Sequence, residues 1–180
     1  YASRALIDSS WESAWNWHTG STGVIGSLDG WCSVSGNWWM MPQLEIWSAG
    51  DFKTNSQGQR IRLGQAPHGN NWLQLHDGAG KTTQNMGIER SVYSVAGAIY
   101  TLDLNYAADL GLSNSLTGIG IYVDGIKIAS YSNTSSNAAL DWKALSFQFV
   151  GTGGCQDIRI QLEGSNAVLG RRVIREAVRL

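Results

Sequence analysis

HGNNWLQLHDGAGKTTQNMGIERSVYSVAGAIYTLDLNYA, residues 68–107, is the stretch whose pattern sets the fold class. Trp72, Leu73 and Leu75 make one short apolar run, and Ile99, Tyr100, Leu102, Leu104 and Tyr106 make a second that alternates with small or polar residues. A period of two with one apolar side is the pattern of a half-buried β-strand. Between the runs, Asp77-Gly78-Ala79-Gly80 suits a turn and Gly97 admits another. The expectation is two antiparallel strands with a loop-rich connection.

Downstream the alternation recurs. Residues 118–123 and 126–131 flank Asp124-Gly125, a pair suited to a two-residue hairpin with positive φ at both turn positions. Leu145, Phe147 and Phe149 alternate in one further strand, Ile158, Ile160 and Leu162 in another, and 173–180 reads as the last. Upstream, Leu44 and Ile46 share a face, leaving Gln43, Glu45 and Trp47 on the other, where a carboxylate and an indole make a recognition edge. Residues 48–69 read mainly as loop, with a short strand at 60–63, and 132–139 as polar loop. The four large residues Trp38-Trp39-Met40-Met41 cannot all face one side of a strand, so some should be exposed or covered by a loop. A helix over residues 1–15 competes locally, weakened by its Ser-Ser pair. Nine to eleven short strands predict an all-β fold, an antiparallel β-sandwich of jelly-roll type, as one domain over residues 1–180.

Composition narrows the partners. A net charge of −1 with 15% charged residues argues against a nucleic-acid surface. No run approaches the roughly 18 apolar residues of a membrane helix, and no signal peptide is visible, so no membrane insertion is expected. Tryptophans 11, 15, 17, 31, 38, 39 and 47 crowd the first quarter of the chain, a density that fits a sugar-stacking platform and core packing alike. Cys32 and Cys155 are the two cysteines, expected to bond if the chain is exported.

No catalytic signature stands out, and the chain is expected not to be an enzyme. His18, His68 and His76 lack metalloprotease or zinc-finger spacing, and there is no nucleophile elbow, P-loop or dinucleotide fingerprint. Hard-cation chemistry is the better prospect, because several carboxylates sit beside Gly/Asn/Ser-rich segments that also offer carbonyl oxygens, and calcium takes six to eight such oxygens. Asp29, Glu45, Asp77 and Asp109 are the candidate Ca2+ ligands; Glu45, Trp47, Asn70, Asn71, Gln74 and Gln84 are the candidate ligand contacts. Plain turn chemistry accounts for the Asp-Gly pairs equally well.

The motifs GNNWLQL (69–75), GIERS (87–91), AGAIYTL (96–102), IYVDGIKIASY (121–131), LDWKALSF (140–147) and IRI (158–160) resemble the peptide-binding domains of bacterial RTX adhesins. That resemblance implies an extracellular, calcium-bound β-sandwich near the tip of a cell-surface adhesion fibre of the kind that builds biofilms. Such a domain holds the C-terminal end of a partner peptide or surface protein, its carboxylate fixed with the help of calcium. Two departures stand out: Ala108-Asp109 where the family has an arginine, and GRRVIREAV (170–178) where it has a glycine-rich turn and an Ile-Asp-Asp strand. Extracellular jelly rolls that bind sugars share several of the motifs, so a carbohydrate-binding module is the alternative. A subunit of an extracellular filament or coat is the second.

Overall fold

Residues 2–12, 27–34, 41–42, 44–55, 57–76, 83–110, 115–135 and 139–178 are described by a computed structural model of the 180-residue chain. In chain order the strands are β1 (Ala2–Ser9), β2 (Ser27–Leu28), β3 (Trp31–Val34), β4 (Met41–Pro42), β5 (Glu45–Ser48), β6 (Phe52–Thr54), β7 (Arg60–Arg62) and β8 (Asn71–Leu75). They continue with β9 (Thr83–Gln84), β10 (Gly87–Tyr93), β11 (Ile99–Ala108), β12 (Leu116–Val123), β13 (Ile126–Thr134), β14 (Lys143–Val150), β15 (Cys155–Gly164) and β16 (Ala167–Val178). Among the described residues there is no helix.

Two antiparallel sheets form a β-sandwich. The front sheet runs β14-β11-β16-β8-β5, with β1 beside the C-terminal half of β16; the back sheet runs β13-β12-β15-β10-β3-β2. Period-two patterning explains the faces. Leu73 and Leu75 of β8 and Leu102, Leu104 and Tyr106 of β11 meet Ile119, Ile121, Ile158 and Ile160 of the back sheet in one core cluster. Tyr100 stacks on Phe149 with centroids 5.3 Å apart. The Asp124-Gly125 turn forms as expected, with φ of 50° and 79°, and closes β12 onto β13 at Val123 opposite Ile126.

Other expectations need correction. The runs in β8 and β11 are not partners: β16 lies between them and is antiparallel to both, so they run parallel. Their connection is not mainly loop either, since β10 crosses to the back sheet with Ile88 and Val92 facing the core. Residues 2–9 are a strand, not a helix, held by seven register pairs to β16. The loop over 48–69 contains the β6–β7 hairpin, and β13 continues through Thr134, where Asn133 accepts a hydrogen bond from the Tyr106 hydroxyl at 2.8 Å. Trp38, Trp39 and Met40 and the turn at 77–80 lie outside the described residues.

Cys32 and Cys155 are free and exposed on the outer face of the back sheet. Cys32 pairs with Glu89 and Cys155 with Tyr93, on opposite sides of β10. That four-residue offset is about 13 Å along the strand at ~3.3 Å per residue. A disulfide needs Cα atoms within ~7 Å, so the expected bond does not form in this register.

One inner position is cationic. Arg172, wholly buried, lies 3.5 Å from the centroid of the Trp11 ring and donates to Gly170 O at 2.8 Å and Ser9 Oγ at 2.9 Å; Trp31 Nε1 donates to the same Ser9 Oγ. Burial pushes the guanidinium well below its ordinary value, with Asp29 pulling it back up. Two indoles and an arginine thus fill one margin of the sandwich, where β1 approaches β3.

Candidate functional site

The residues singled out in the sequence divide into three groups. Glu45 on β5 sits opposite Gln74 on β8, and Trp47 opposite Trp72, all on the outer side of the front sheet because Leu44, Ile46, Leu73 and Leu75 take the core side. Asp109 follows β11 on the same side. There its carboxylate meets Lys53 Nζ and accepts from Gln74 Nε2 at 3.0 Å and from the Leu110 N–H at 2.8 Å. Glu45 accepts from the Trp47 indole at 3.0 Å and lies 3.4 Å from His76 Nε2. This network is covered rather than open. The β6–β7 hairpin folds over it with Lys53 pointing inward, its ammonium 5.2 Å from the Trp47 centroid, and Trp47, Trp72, Leu63, Leu110, Ala107 and Val168 form a second apolar cluster beneath. Asp109 is only 2% exposed. Burial pushes its carboxyl above the ordinary value, while Lys53 and the Leu110 N–H pull it down.

Asn70 and Asn71 do different work. Both backbone N–H groups donate to Glu12 Oε1 at 2.7 Å, and the Asn71 side chain donates to Trp11 O at 3.1 Å and accepts from Ser48 Oγ at 2.9 Å. They fasten the Trp11-Glu12 segment to the start of β8. Asp29 is elsewhere again, in the β2–β3 turn at φ 54°, where its carbonyl accepts from Arg90 Nη1. Asp77 lies outside the described residues, as does the side chain of Gln84.

The described donors do not fit a calcium centre. Asp29 belongs to the opposite sheet from Glu45 and Asp109, and those two carboxylates are already engaged by an ammonium, an amide, an indole and an imidazole. Lys53 supplies the compensating positive charge beside Asp109. Among the described residues no three His, Cys, Asp or Glu side chains gather around one point.

An open site lies further along the same outer face. Asp103 and Asn105 of β11, Ala144 and Ser146 of β14, and Arg171, Val173 and Arg175 of β16 line a cleft of about 260 Å³. Their positions follow from register: Asp103 faces Ser146 on one side and Val173 on the other, and Thr101 faces Arg175. Arg171 binds Asp8 through Nε at 2.8 Å and Nη2 at 2.6 Å, and Arg175 Nε is 3.4 Å from Asp103 Oδ2. Hydrogen bonding from Arg171 holds the Asp8 carboxyl below its ordinary value. The Arg175–Asp103 pair thus lines the cleft and Arg171, paired with Asp8, borders it, while Val173 is buried and Ala144 is exposed on the other side of β11. Trp142, just before β14, packs against the covered network's apolar cluster, 6.0 Å from the Trp72 ring and edge-on to it. A Cβ at Gly170 would come within 3.5 Å of the Trp142 ring and 3.1 Å of Asn105 Cβ, so the bare backbone there lets the indole lie close to β16.

None of the cleft residues was singled out as a site from the sequence. The usable signal was the polar set that alternates with Leu102, Leu104 and Tyr106 on β11, and the Arg171/Val173/Arg175 period on β16.

No protein-family model matches the chain, and no curated protein does. Solved structures do. A cyclase from Fischerella sp. TAU superposes with TM-score 0.61 at 15% identity, covering 99% of this chain and 100% of that one. The CBM22-1 xylan-binding domain of Paenibacillus barcinonensis Xyn10C gives 0.53 at 15%, covering 99% and 98%. The Clostridium thermocellum Xyn10B CBM22-1–GH10 structure complexed with xylohexaose gives 0.56 at 10%, covering 98% of this chain and 29% of that chain. The shared feature is the fold. It is the β-sandwich of carbohydrate-binding modules and of a cyclase.

Proposed function

We propose that the chain is a carbohydrate-binding module working outside the cell, which holds a neutral glycan segment across the outer face of the front sheet and performs no chemistry on it. The observation that carries this reading is the open cleft between β11, β14 and β16. Its Asp–Arg pairs present fixed acceptors and donors side by side, the arrangement that meets adjacent hydroxyls of a sugar ring. The exposed Ala144 offers the ring's C–H face a small apolar contact. The xylan-binding domain and the xylohexaose complex support the reading at the level of fold.

A peptide C terminus, as in the adhesin reading, is the competitor. Arg171 and Arg175 already hold Asp8 and Asp103, so an incoming carboxylate must displace a protein carboxylate, whereas hydroxyls add to the pairs without displacing either. Calcium is not needed by this cleft, and binding is expected to survive chelation. An array of xylo-, cello- and manno-oligosaccharides beside a free-acid peptide library, each with calcium and with chelator, tests the reading. The expected result is binding of a neutral glycan that is lost in D103A/R175A and indifferent to chelator. Binding of peptide carboxyl termini alone, or of anything only with calcium, would overturn it.

A further inference from the structure

The β6–β7 hairpin has a second face. Lys53 pairs with Ile61 and both point toward the covered network, so Phe52, Thr54, Arg60 and Arg62 point outward. Phe52 is 37% exposed, and a guanidinium stands over its ring from each neighbouring position: Arg60 Cζ at 4.2 Å and Arg62 Cζ at 5.1 Å from the centroid. A cleft of about 360 Å³ lies beside them, lined by Gly50, Asp51, Phe52, Lys53, Thr54 and Arg60. Asp51, which shares the cleft with Arg60, accepts a hydrogen bond from the Ser48 N–H at 2.9 Å and forms no ion pair with either arginine.

What sets these arginines apart is the pairing of charges over the described residues. Arg4, Lys53, Lys127, Lys143, Arg159, Arg171 and Arg175 each have a carboxylate partner, and Arg90 and Arg172 are drawn inward against Trp31 and Trp11. Arg60 and Arg62 have no ion-pair partner among the described residues. Their contact with Phe52 is to the ring face, with no carboxylate involved. The guanidinium N–H groups can make bidentate contact with a carboxylate or a sulfate.

We infer that this hairpin is a subsite for acidic saccharides, in which Arg60 and Arg62 bind a carboxylate or sulfate while Phe52 supports the sugar ring. It extends the glycan reading to a second place on the same side of the front sheet, and it rests on that reading for the class of polymer. Nucleic acid is disfavoured because, among the described residues, the other exposed cations are already paired, leaving two unpaired charges there against a backbone that needs several.

Calorimetry on the whole chain at fixed low salt tests this with an oligogalacturonate, its methyl ester, a sulfated oligosaccharide of equal length, a single-stranded oligonucleotide and xylohexaose. The oligogalacturonate or the sulfated chain should bind, with the preferred one identifying the oxyanion. R60Q/R62Q should weaken that binding by about a hundredfold, roughly tenfold for each charge-assisted hydrogen-bonding group removed. The methyl ester should bind wild type no better than it binds R60Q/R62Q, and xylohexaose should bind both alike. Because the neutral probe reports on the cleft and the acidic probes on the hairpin, the two readings fail separately. Equal binding of the acidic chains by wild type and R60Q/R62Q, or tighter binding of the oligonucleotide, would overturn the inference.

Discussion

Replacing Lys53 with methionine keeps most of the apolar stem of the side chain, one atom shorter, and removes the ammonium from a carboxylate that is 2% exposed. Asp109 would retain only Gln74 and the Leu110 N–H. Removing one partner of a buried ion pair typically destabilises by about 3–5 kcal/mol. Removing the attraction between the ammonium and the Trp47 ring adds roughly 0.5–1 kcal/mol. For a chain of this size the main term lowers Tm by roughly 6–20 °C. The pH dependence has a definite sign. Burial already holds the Asp109 carboxyl above its ordinary value, and losing Lys53 raises it further. A carboxyl whose folded pKa exceeds its unfolded one destabilises the fold when ionised, so the deficit of K53M should be largest near neutrality and shrink as the pH falls toward that folded pKa. Urea denaturation at neutral and mildly acidic pH measures both features. K53M/D109L, which removes both charges, should recover most of the loss. A deficit below ~1 kcal/mol at neutral pH, or a double variant no more stable than K53M, would refute the buried-pair reasoning.

Gly125→Val should destabilise by about 1–2 kcal/mol, because a β-branched residue resists the φ of 79° at that turn; an unchanged denaturation midpoint would contradict the turn assignment. Thiol titration of the native, unreduced protein should count two reactive cysteines; a count of zero would contradict the strand register. Asp8→Asn should cost less than ~1 kcal/mol at neutral pH, since the pair with Arg171 is largely exposed. The folded pKa of Asp8 is depressed, so its contribution is present above the unfolded value of 3.8 and is lost as the pH falls through the folded one. Salt should erase the difference between Asp8→Asn and wild type, and an effect that persists in high salt would count against the exposed pair.

Local chemistry was legible in the sequence wherever it acts within a few residues. Asp124-Gly125 dictates its own turn, and alternation in 99–106 and 44–47 shows which side chains share a face. Neighbourhood is another matter. That β16 would insert between β8 and β11 depends on contacts spanning up to about a hundred residues, and a period of two says nothing about which strand comes next. Burial was hidden for the same reason. Glu45 and Trp47 do point outward, but the hairpin that covers them read mainly as loop, so an expected recognition edge became a covered network. Asp103 meets Arg175 across two strands that lie far apart in the chain, and Arg172 reads as a surface residue until Trp11 and Trp31 close over it.

The most direct test of the glycan reading is a map of backbone amide shifts as xylohexaose is titrated into the labelled protein. The account predicts saturable shifts confined to 101–105, 144–148 and 171–175, the strands that line the open cleft. Shifts centred on the back sheet, or none at concentrations where neutral glycans bind other sandwich modules, would contradict it.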